Sequence, residues 1–289
     1  MLNYSNRRLI ISTTDAKGNV HEYGNLAAMC SISSGGGALM PTARVQIYNL
    51  SIQEINRLTS VRWMTKGALR NMLIIDCEIN GVRSNIFKGN ITTALPDFSA
   101  APDISIIIES ATAILNKVSP LSSAFSKDGE VKLIDIAKEI CEMDGLHFES
   151  YGIDDKKIES PYLSGSSIEM LRFLADACDV DMYIDGGIVA MCKRGIPRPR
   201  FSHVISPQTG LVGYPSPTLQ GISCQCIYSP SIRFGGTITV ENSTIGQCNG
   251  NWRIYGINSV LGNNIPNSPW FSNISASFIA DTGVKIAGK

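Results

Sequence analysis

The stretch Ala43-Arg-Val-Gln-Ile-Tyr-Asn-Leu-Ser-Ile-Gln-Glu-Ile-Asn-Arg-Leu58 constrains this chain most tightly. Ala43, Val45 and Ile47 alternate with Arg44, Gln46 and Tyr48, and a period of two predicts a half-buried strand. Ser51 stands three residues before Glu54, which predicts a capping box: the serine hydroxyl accepts from the backbone N–H of Glu54, and the Glu54 carboxylate reaches back to the N–H of Ser51. Leu50 and Ile55 occupy the flanking positions of a hydrophobic staple. One short segment therefore predicts a strand, a corner and a helix.

The same periodicities divide the rest of the chain. Residues 1–112 read mainly as strands. Residues 7–13 and 20–23 flank the turn signal Asp15-Ala-Lys-Gly-Asn19. Residues 71–79 and 82–93 flank Asn80-Gly81, the strongest short hairpin signal. Ile104, Ile106 and Ile108 mark a further strand. Gly35-Gly36-Gly37 reads as a loop, because no Lys-Ser/Thr follows and no helix opens there, as a phosphate-cradling loop needs.

Residues 113–199 change period. Leu133, Ile134, Ile136, Ala137, Ile140 and Cys141 form the apolar stripe of a helix that Gly145 ends, and Leu146-His-Phe148 reads as a short strand. A second helix opens at Ser166 with a capping box to Glu169, its stripe made by Ile168, Leu171, Leu174, Ala175 and Cys178. Residues 180–184 and 188–192 flank Asp185-Gly186-Gly187, a hairpin turn. These two helix-then-strand units echo one another. Pro197, Pro199, Pro207, Pro215 and Pro217 exclude a helix and any central strand, and so predict a linker or an extended surface arm at a domain boundary. Residues 218–289 return to strands. Ile222, Cys224, Cys226 and Tyr228 share one face, and Asn242, Asn249, Asn251, Asn258, Asn263, Asn264 and Asn267 are expected to punctuate turns.

Composition narrows the function. The 289 residues hold 25 Lys plus Arg against 25 Asp plus Glu, so no basic surplus exists to neutralise nucleic-acid phosphates. Leu9, Ile10 and Ile11 are too few apolar residues for a signal-peptide core, and no run approaches the length of a membrane span. The eight cysteines (Cys30, Cys77, Cys141, Cys178, Cys192, Cys224, Cys226 and Cys248) fall within apolar patterns, the usage of buried thiols in a reducing cytoplasm.

Candidate chemistry is thin. Cys224-x-Cys226 has no second Cys or His pair near it, so no metal site is expected. His21, His147 and His203 lie in strand-like or linker contexts and no Gly-x-Ser-x-Gly elbow occurs, so no catalytic triad is expected. Glu139 and Glu142 lie on the polar side of a helix. Asp176, Asp179, Asp181 and Asp185 lack the spacing and closing Glu of a calcium loop. Trp252 and Trp270 read as packing or interface anchors. No catalytic residue, cofactor or metal is assigned.

A family resemblance rests on the opening segment and on motifs in the same order along the chain. Val45-x-Ile47-Tyr-Asn49-Leu50-Ser51, then Ile86-Phe87-Lys-Gly89-Asn-Ile91, the helix from Ser167 to Cys178 with Met182-Tyr-Ile-Asp-Gly-Gly187, Ile227-Tyr-Ser-Pro230 through Gly236 to Val240, and Trp252-Arg-Ile-Tyr-Gly-Ile257 followed by Trp270-Phe271 resemble the central baseplate hub proteins of tailed phages, above all the Mu-like contractile ones. The chain departs from the family pattern after Trp252, where Asn258-Ser259 stand in place of a frequent histidine and aspartate, and it leaves no room for a fused lysozyme or peptidase. The resemblance implies an α+β, mainly β fold: two tube-like β-barrel domains at 1–112 and 200–289, the second carrying the proline-rich arm, flank a small α/β insert at 113–199. It further implies a non-enzymatic homotrimer in the virion tail baseplate, assembled in the bacterial host cytoplasm, forming a ring between a sixfold tail tube and a threefold spike. Its partners would be the tail tube or distal tail protein and the central spike, with the tape measure protein and baseplate wedge as further candidates and DNA only as passing cargo. The competing readings are a virion-associated cell-wall hydrolase and the hub of a tailocin or type VI-like injection machine.

Overall fold

The computed structural model describes residues 6–15, 17–35, 40–59, 71–119 and 124–280. Their front part forms β1 (Arg7–Thr14), β2 (Val20–Glu22), β3 (Ala28–Gly35), β4 (Thr42–Tyr48), α1 (Ile52–Leu58), β5 (Met72–Ile79), β6 (Val82–Asp97) and β7 (Ser105–Ala111). The middle part forms α2 (Ile114–Val118), β8 (Phe125–Ser126), β9 (Glu130–Lys132), α3 (Leu133–Met143), β10 (His147–Tyr151), β11 (Lys157–Glu159), β12 (Tyr162–Leu163), α4 (Ser167–Ala177), β13 (Val180–Asp185) and β14 (Ile188–Lys193). The rear part forms β15 (Ser202–Ile205), β16 (Leu211–Thr218), β17 (Gly221–Ile227), β18 (Thr237–Val240), β19 (Gly250–Asn263) and β20 (Trp270–Ser277). The molecule is mainly β with a helical middle, as the sequence implies. Gly36 and Gly37 lie outside the described residues.

Local signals act as expected. The Asn80-Gly81 hairpin closes with Ile79 opposite Val82, and both turn residues have positive φ, 53° and 81°, the backbone that a two-residue hairpin turn requires. Gly145 at φ 67° ends α3, with the Leu146 N–H donating to the Cys141 carbonyl at 2.8 Å, the wider bond of a Schellman cap. Ser166 and Glu169 form both halves of their capping box. At α1 only half of the box forms: Ser51 Oγ accepts from the Glu54 N–H at 3.3 Å, but the Glu54 carboxylate turns to the Tyr23 hydroxyl at 2.6 Å and the Arg57 guanidinium at 2.9 Å. Hydrogen bonds to a phenol and a cation outbid a neutral, exposed N–H.

Front and rear strands join in one 13-stranded sheet, ordered β16-β17-β20-β19-β3-β4-β7-β6-β5-β1-β2, with β18 on β19 and β15 on β18. The two halves of that sheet are topologically equivalent. The front set reads β3-β4-β7-β6-β5-β1 and the rear set β16-β17-β20-β19-β18-β15. In each set one long strand changes partner at a single residue: Asn90 of β6 faces both Met72 and Ala111, and Arg253 of β19 faces both Thr237 and Ser277. Each long strand then bulges two residues later, at Thr92 and at Tyr255. The sets differ at the last strand, where β1 runs antiparallel to β5 but β15 runs parallel to β18.

Each set curls around its own core, the front on Leu9, Val45, Ile47, Leu73, Ile75 and Ile108, the rear on Ile222, Cys224, Ile238, Ile254 and Ile274. Among the described residues, strand pairing closes neither set into a barrel. In the front set β2 is only three residues long, and the gap between β1 and the β2–β3 connection is bridged by a side chain. Asn263 Oδ1 accepts from the Leu9 N–H at 3.2 Å, while Nδ2 donates to the carbonyls of Gly24 and Leu26 at 3.2 and 3.0 Å. The proline-rich stretch is more ordered than a linker: it contributes β15 and β16, and Pro215 and Pro217 fall in β16, the last strand of the sheet, where a missing N–H is tolerated. Asn242, Asn264 and Asn267 take positive φ at turns, whereas Asn251 and Asn258 lie inside β19. The Asn258-Ser259 pair is thus part of a strand and not of a loop.

Candidate assembly surface

The wide sheet presents one face to its cores and leaves the other uncovered. The core face carries Cys226, Ile274, Leu261, Cys30, Val45 and Ile108, all buried. Opposite them, cross-strand neighbours run in rows across five to seven strands. One row is Ile227, Phe271, Val260, Ser31, Arg44, Glu109 and Thr93; the next is Gln225, Asn273, Asn258, Ser33 and Thr42; the flanking one is Gly262, Met29, Gln46, Ile107 and Leu95. Small neutral polar groups dominate, and neighbours satisfy one another: Gln225 Nε2 donates to Asn273 Oδ1 at 3.1 Å, Ser31 Oγ to Asn258 Oδ1 at 3.4 Å, and Gln46 Nε2 to Ser105 Oγ at 2.9 Å. In these rows the charged side chains are Arg44 and Glu109, which face each other at 3.7 Å and cancel. The surface is a neutral wall spanning both halves of the chain, with Met29, Leu95 and Phe271 as exposed apolar members.

Beside the wall, the middle part is pinned by ion pairs. Its sheet β10-β14-β13 packs one face on α3 and α4 and the other, through Tyr183, Ala190 and Cys192, on Phe234 of the rear set. Arg198, only 1 % exposed, donates from Nη2 to Glu149 Oε2 at 3.2 Å, lies 3.6 Å from Asp185, and stacks on the Phe201 ring at 4.7 Å. Arg233 lies 3.9 Å from the same Asp185 and donates to the Asn85 carbonyl of the front set at 2.6 Å. Arg253 pairs with Asp181 and donates to the Tyr183 hydroxyl at 3.0 Å. Asp179 pairs with Arg194. Of the aspartates that cluster in sequence, Asp179, Asp181 and Asp185 are each paired with an arginine instead of converging on one another.

The motif positions serve packing and turns. Val45 and Ile47 are fully buried, as are nearly so Leu50, Phe87, Trp252 and Trp270. Asn49 takes φ 57° at the corner after β4, and Ser51 caps α1. Trp252 Nε1 donates to the Cys248 carbonyl at 2.9 Å and Trp270 Nε1 to the Gly262 carbonyl at 2.8 Å. Gly89 lies so close to β7 that an added Cβ would stand 2.8 Å from the Ala111 carbonyl, and at Gly236 it would stand 2.8 Å from Phe201 Cβ. Pro230 is half-buried in the turn after β17.

The chemical candidates stay apart. All eight cysteines are buried, and burial pushes the Cys224 thiol up to about 11 and Cys226 to about 12, which keeps both protonated at neutral pH. No group of three His, Cys, Asp or Glu side chains placed to hold a metal occurs among the described residues. One pair escapes sequence reading because 28 residues separate its members: Ser231 Oγ lies 2.8 Å from His203 Nδ1. Burial lowers the His203 pKa, but no carboxylate is seen bonded to the ring among the described residues, so the pair lacks the third member of a triad there. A cleft of about 500 Å³ lies where β6 meets α2 and the β13–β14 turn. Its Asp144 is taken up by Ser167, and no nucleophile and base face each other there.

A sequence profile described as "Baseplate hub gp41" matches residues 13–264. Curated proteins give no significant sequence match. Among solved structures, the chain is similar to a 43 kDa tail protein of prophage MuSo2 from Shewanella oneidensis (9 % identity, 94 % of this chain and 97 % of that one, TM-score 0.64). It is also similar to a tail protein from Neisseria meningitidis MC58 (8 %, 93 % and 96 %, 0.60). A third is an E. coli component of the type VI secretion system described as similar to T4 bacteriophage tail proteins gp27 and gp5 (10 %, 88 % and 74 %, 0.56). At these identities the likeness is one of fold.

Proposed function

The chain belongs to the baseplate hub gp41 family, and from that premise we propose that three copies close into a ring joining a sixfold tail tube to a threefold central spike in a virion tail. The observation that carries this reading is the equivalence of the front and rear strand sets, down to the partner change at Asn90 and Arg253 and the bulges at Thr92 and Tyr255. Two like units per chain give six like units from three chains, so one ring can meet both symmetries. The uncovered neutral face fits the inner wall of such a ring, past which DNA travels. The tail tube or distal tail protein would seat on one rim and the spike on the other, with residues 1–112 and 200–289 as the two tube-like domains and 113–199 as the insert outside them. The role is structural and not catalytic, and the motif residues Val45, Ile47, Phe87, Gly89, Gly236, Trp252 and Trp270 serve it by fixing the two cores and the close strand approaches.

The native mass tests this. The expected value is three times the 31.2 kDa of one chain, with a central hole in electron micrographs; a stable single chain under assembly conditions refutes it. Clearing of purified peptidoglycan by the chain alone would replace the structural role with a hydrolytic one. A tailocin or type VI-like machine would use the same ring, and the particle from which the chain is purified separates these.

A further inference from the structure

The equivalence of the two strand sets has a geometric corollary. Inside one chain, the rear long strand β19 uses its free side beyond the bulge to pair with β3, the first strand of the front set, in the register Asn258 opposite Ser33, Ser259 opposite Ile32 and Val260 opposite Ser31. The counterpart of β19 is β6 and the counterpart of β3 is β16. Both counterparts have that same side unpaired among the described residues: β5 stops at Met72 opposite Asn90, and β16 ends the sheet. Resting on the ring reading above, we infer that the contact between neighbouring copies sets residues 93–97 of β6 in one chain against residues 216–218 of β16 in the next, in the register Leu95 opposite Thr218, Pro96 opposite Pro217 and Asp97 opposite Ser216.

That register follows from ladders alone. Asn90 and Arg253 are equivalent through their double pairing, so Leu95 corresponds to Asn258 and Pro96 to Ser259. Arg44 of β4 and Ser223 of β17 occupy equivalent places in their ladders to β7 and β20, so their partners Ser31 and Ser216 correspond, as do Ile32 and Pro217, and Ser33 and Thr218. The internal joint, transferred by this correspondence, puts a proline opposite a proline. A proline has no N–H to give, so the backbone ladder that joins β19 to β3 cannot be repeated at this rung. That rung of the seam is therefore held by side chains. Leu95 and Phe98 on one edge, each 52 % exposed, and Tyr214 and Leu219 on the other, 70 % and 106 % exposed, supply apolar surface on both sides. Prolines on both edges also stop isolated chains from zipping edge to edge through their backbones.

Disulfide trapping tests the register. Leu95→Cys with Thr218→Cys places two thiols on exposed, directly opposed positions, within the span a disulfide bridges, and the natural cysteines are all buried. Mild oxidation of the assembled protein is expected to give covalent dimers and then trimers on a denaturing gel, and no larger species. Leu95→Cys with Ser216→Cys, offset by one diagonal, is expected to link at least about tenfold more slowly. Leu219→Asp, at a fully exposed site that folding does not depend on, is expected to lower the trimeric fraction. A trimeric native mass with no trapping by the first pair, or with equal trapping by both, overturns the seam and leaves the ring standing. A single-chain native mass for the unmodified protein overturns the ring reading and the seam with it.

Discussion

Replacing Asn263 by Leu removes the buried side chain that spans the gap in the front strand set, and leaves Arg8, whose guanidinium donates to the Gly24 carbonyl at 3.2 Å, to bridge it from the more exposed side. Its three hydrogen bonds run to the Leu9 N–H and to the carbonyls of Gly24 and Leu26, at 3.0–3.2 Å, and both Asn263 and Leu9 are buried. Leucine keeps the branched shape of asparagine without its polar atoms, so no cavity opens and the loss is chiefly that of the bonds. A buried backbone group left without a partner costs about 1–3 kcal/mol. The carbonyls keep a second lone pair for other contacts, so the three together are expected to cost about 2–5 kcal/mol in opening the front set. Hydrogen exchange read by fragment mass spectrometry measures this directly. Amides of β1 should exchange about 30- to 5,000-fold faster, while those of β17 and β20 keep their protection. Asn263→Asp should be worse than Leu, because it turns a carboxylate toward two carbonyls. Unchanged β1 exchange in the Leu variant would refute the argument that a side chain, in place of strand pairing, holds this gap shut.

Four further outcomes follow from the geometry. Gly89→Ala forces a Cβ against the Ala111 carbonyl and the Phe87 ring and should lower stability by about 1–3 kcal/mol, read as a fall in melting temperature. Arg198→Met leaves Glu149 and Asp185 without their buried cation and should cost about 3–5 kcal/mol, whereas a joint replacement of Arg198 and Glu149 by apolar residues should recover much of it in a double-mutant cycle. The Arg57 hydrogen bond holds the Glu54 carboxyl below its usual range, so its stabilisation is full above the unfolded value of about 4.3 and is lost as pH falls toward the folded one; Glu54→Gln should flatten the denaturation midpoint across that acid window. The unmodified wall should bind duplex DNA weakly, and Asn258→Lys with Asn273→Lys should add an affinity that falls steeply with salt, by a slope of about −0.9 per phosphate contacted.

What the sequence made legible is what neighbours along the chain decide. The alternation in β4, the Asn80-Gly81 turn, the Gly145 stop and the Ser166–Glu169 box each depend on about six neighbouring residues or fewer and all appear where the pattern puts them. The second half of the Ser51 box failed because Tyr23, distant in sequence, competes for Glu54. Asn263 resembled one more turn former. The helix-strand echo in the middle of the chain is a weaker repeat than that of the two strand sets, which is topological. Equivalent core positions such as Val45 and Cys224, or Ile47 and Cys226, share burial but not identity, so no self-comparison of residues would align them. The barrel expectation holds for curvature and separate cores but not for closure by pairing, since a three-residue β2 leaves the last rungs to a side chain.

The pairing of β19 with β3 also sets a timetable. Gly35 and Gly256 are neighbours in the sheet, yet the ribosome must add more than two hundred residues between them, which takes about 10–45 s at bacterial speeds of 5–20 residues per second. Throughout that interval the nascent chain carries a bare β3 edge at its centre, exposed to every other copy on the same message. Translation rate and chaperone supply, and not thermodynamic stability, are therefore expected to govern how much of this protein reaches its native form, and slowing initiation should raise its yield more than lowering temperature after synthesis.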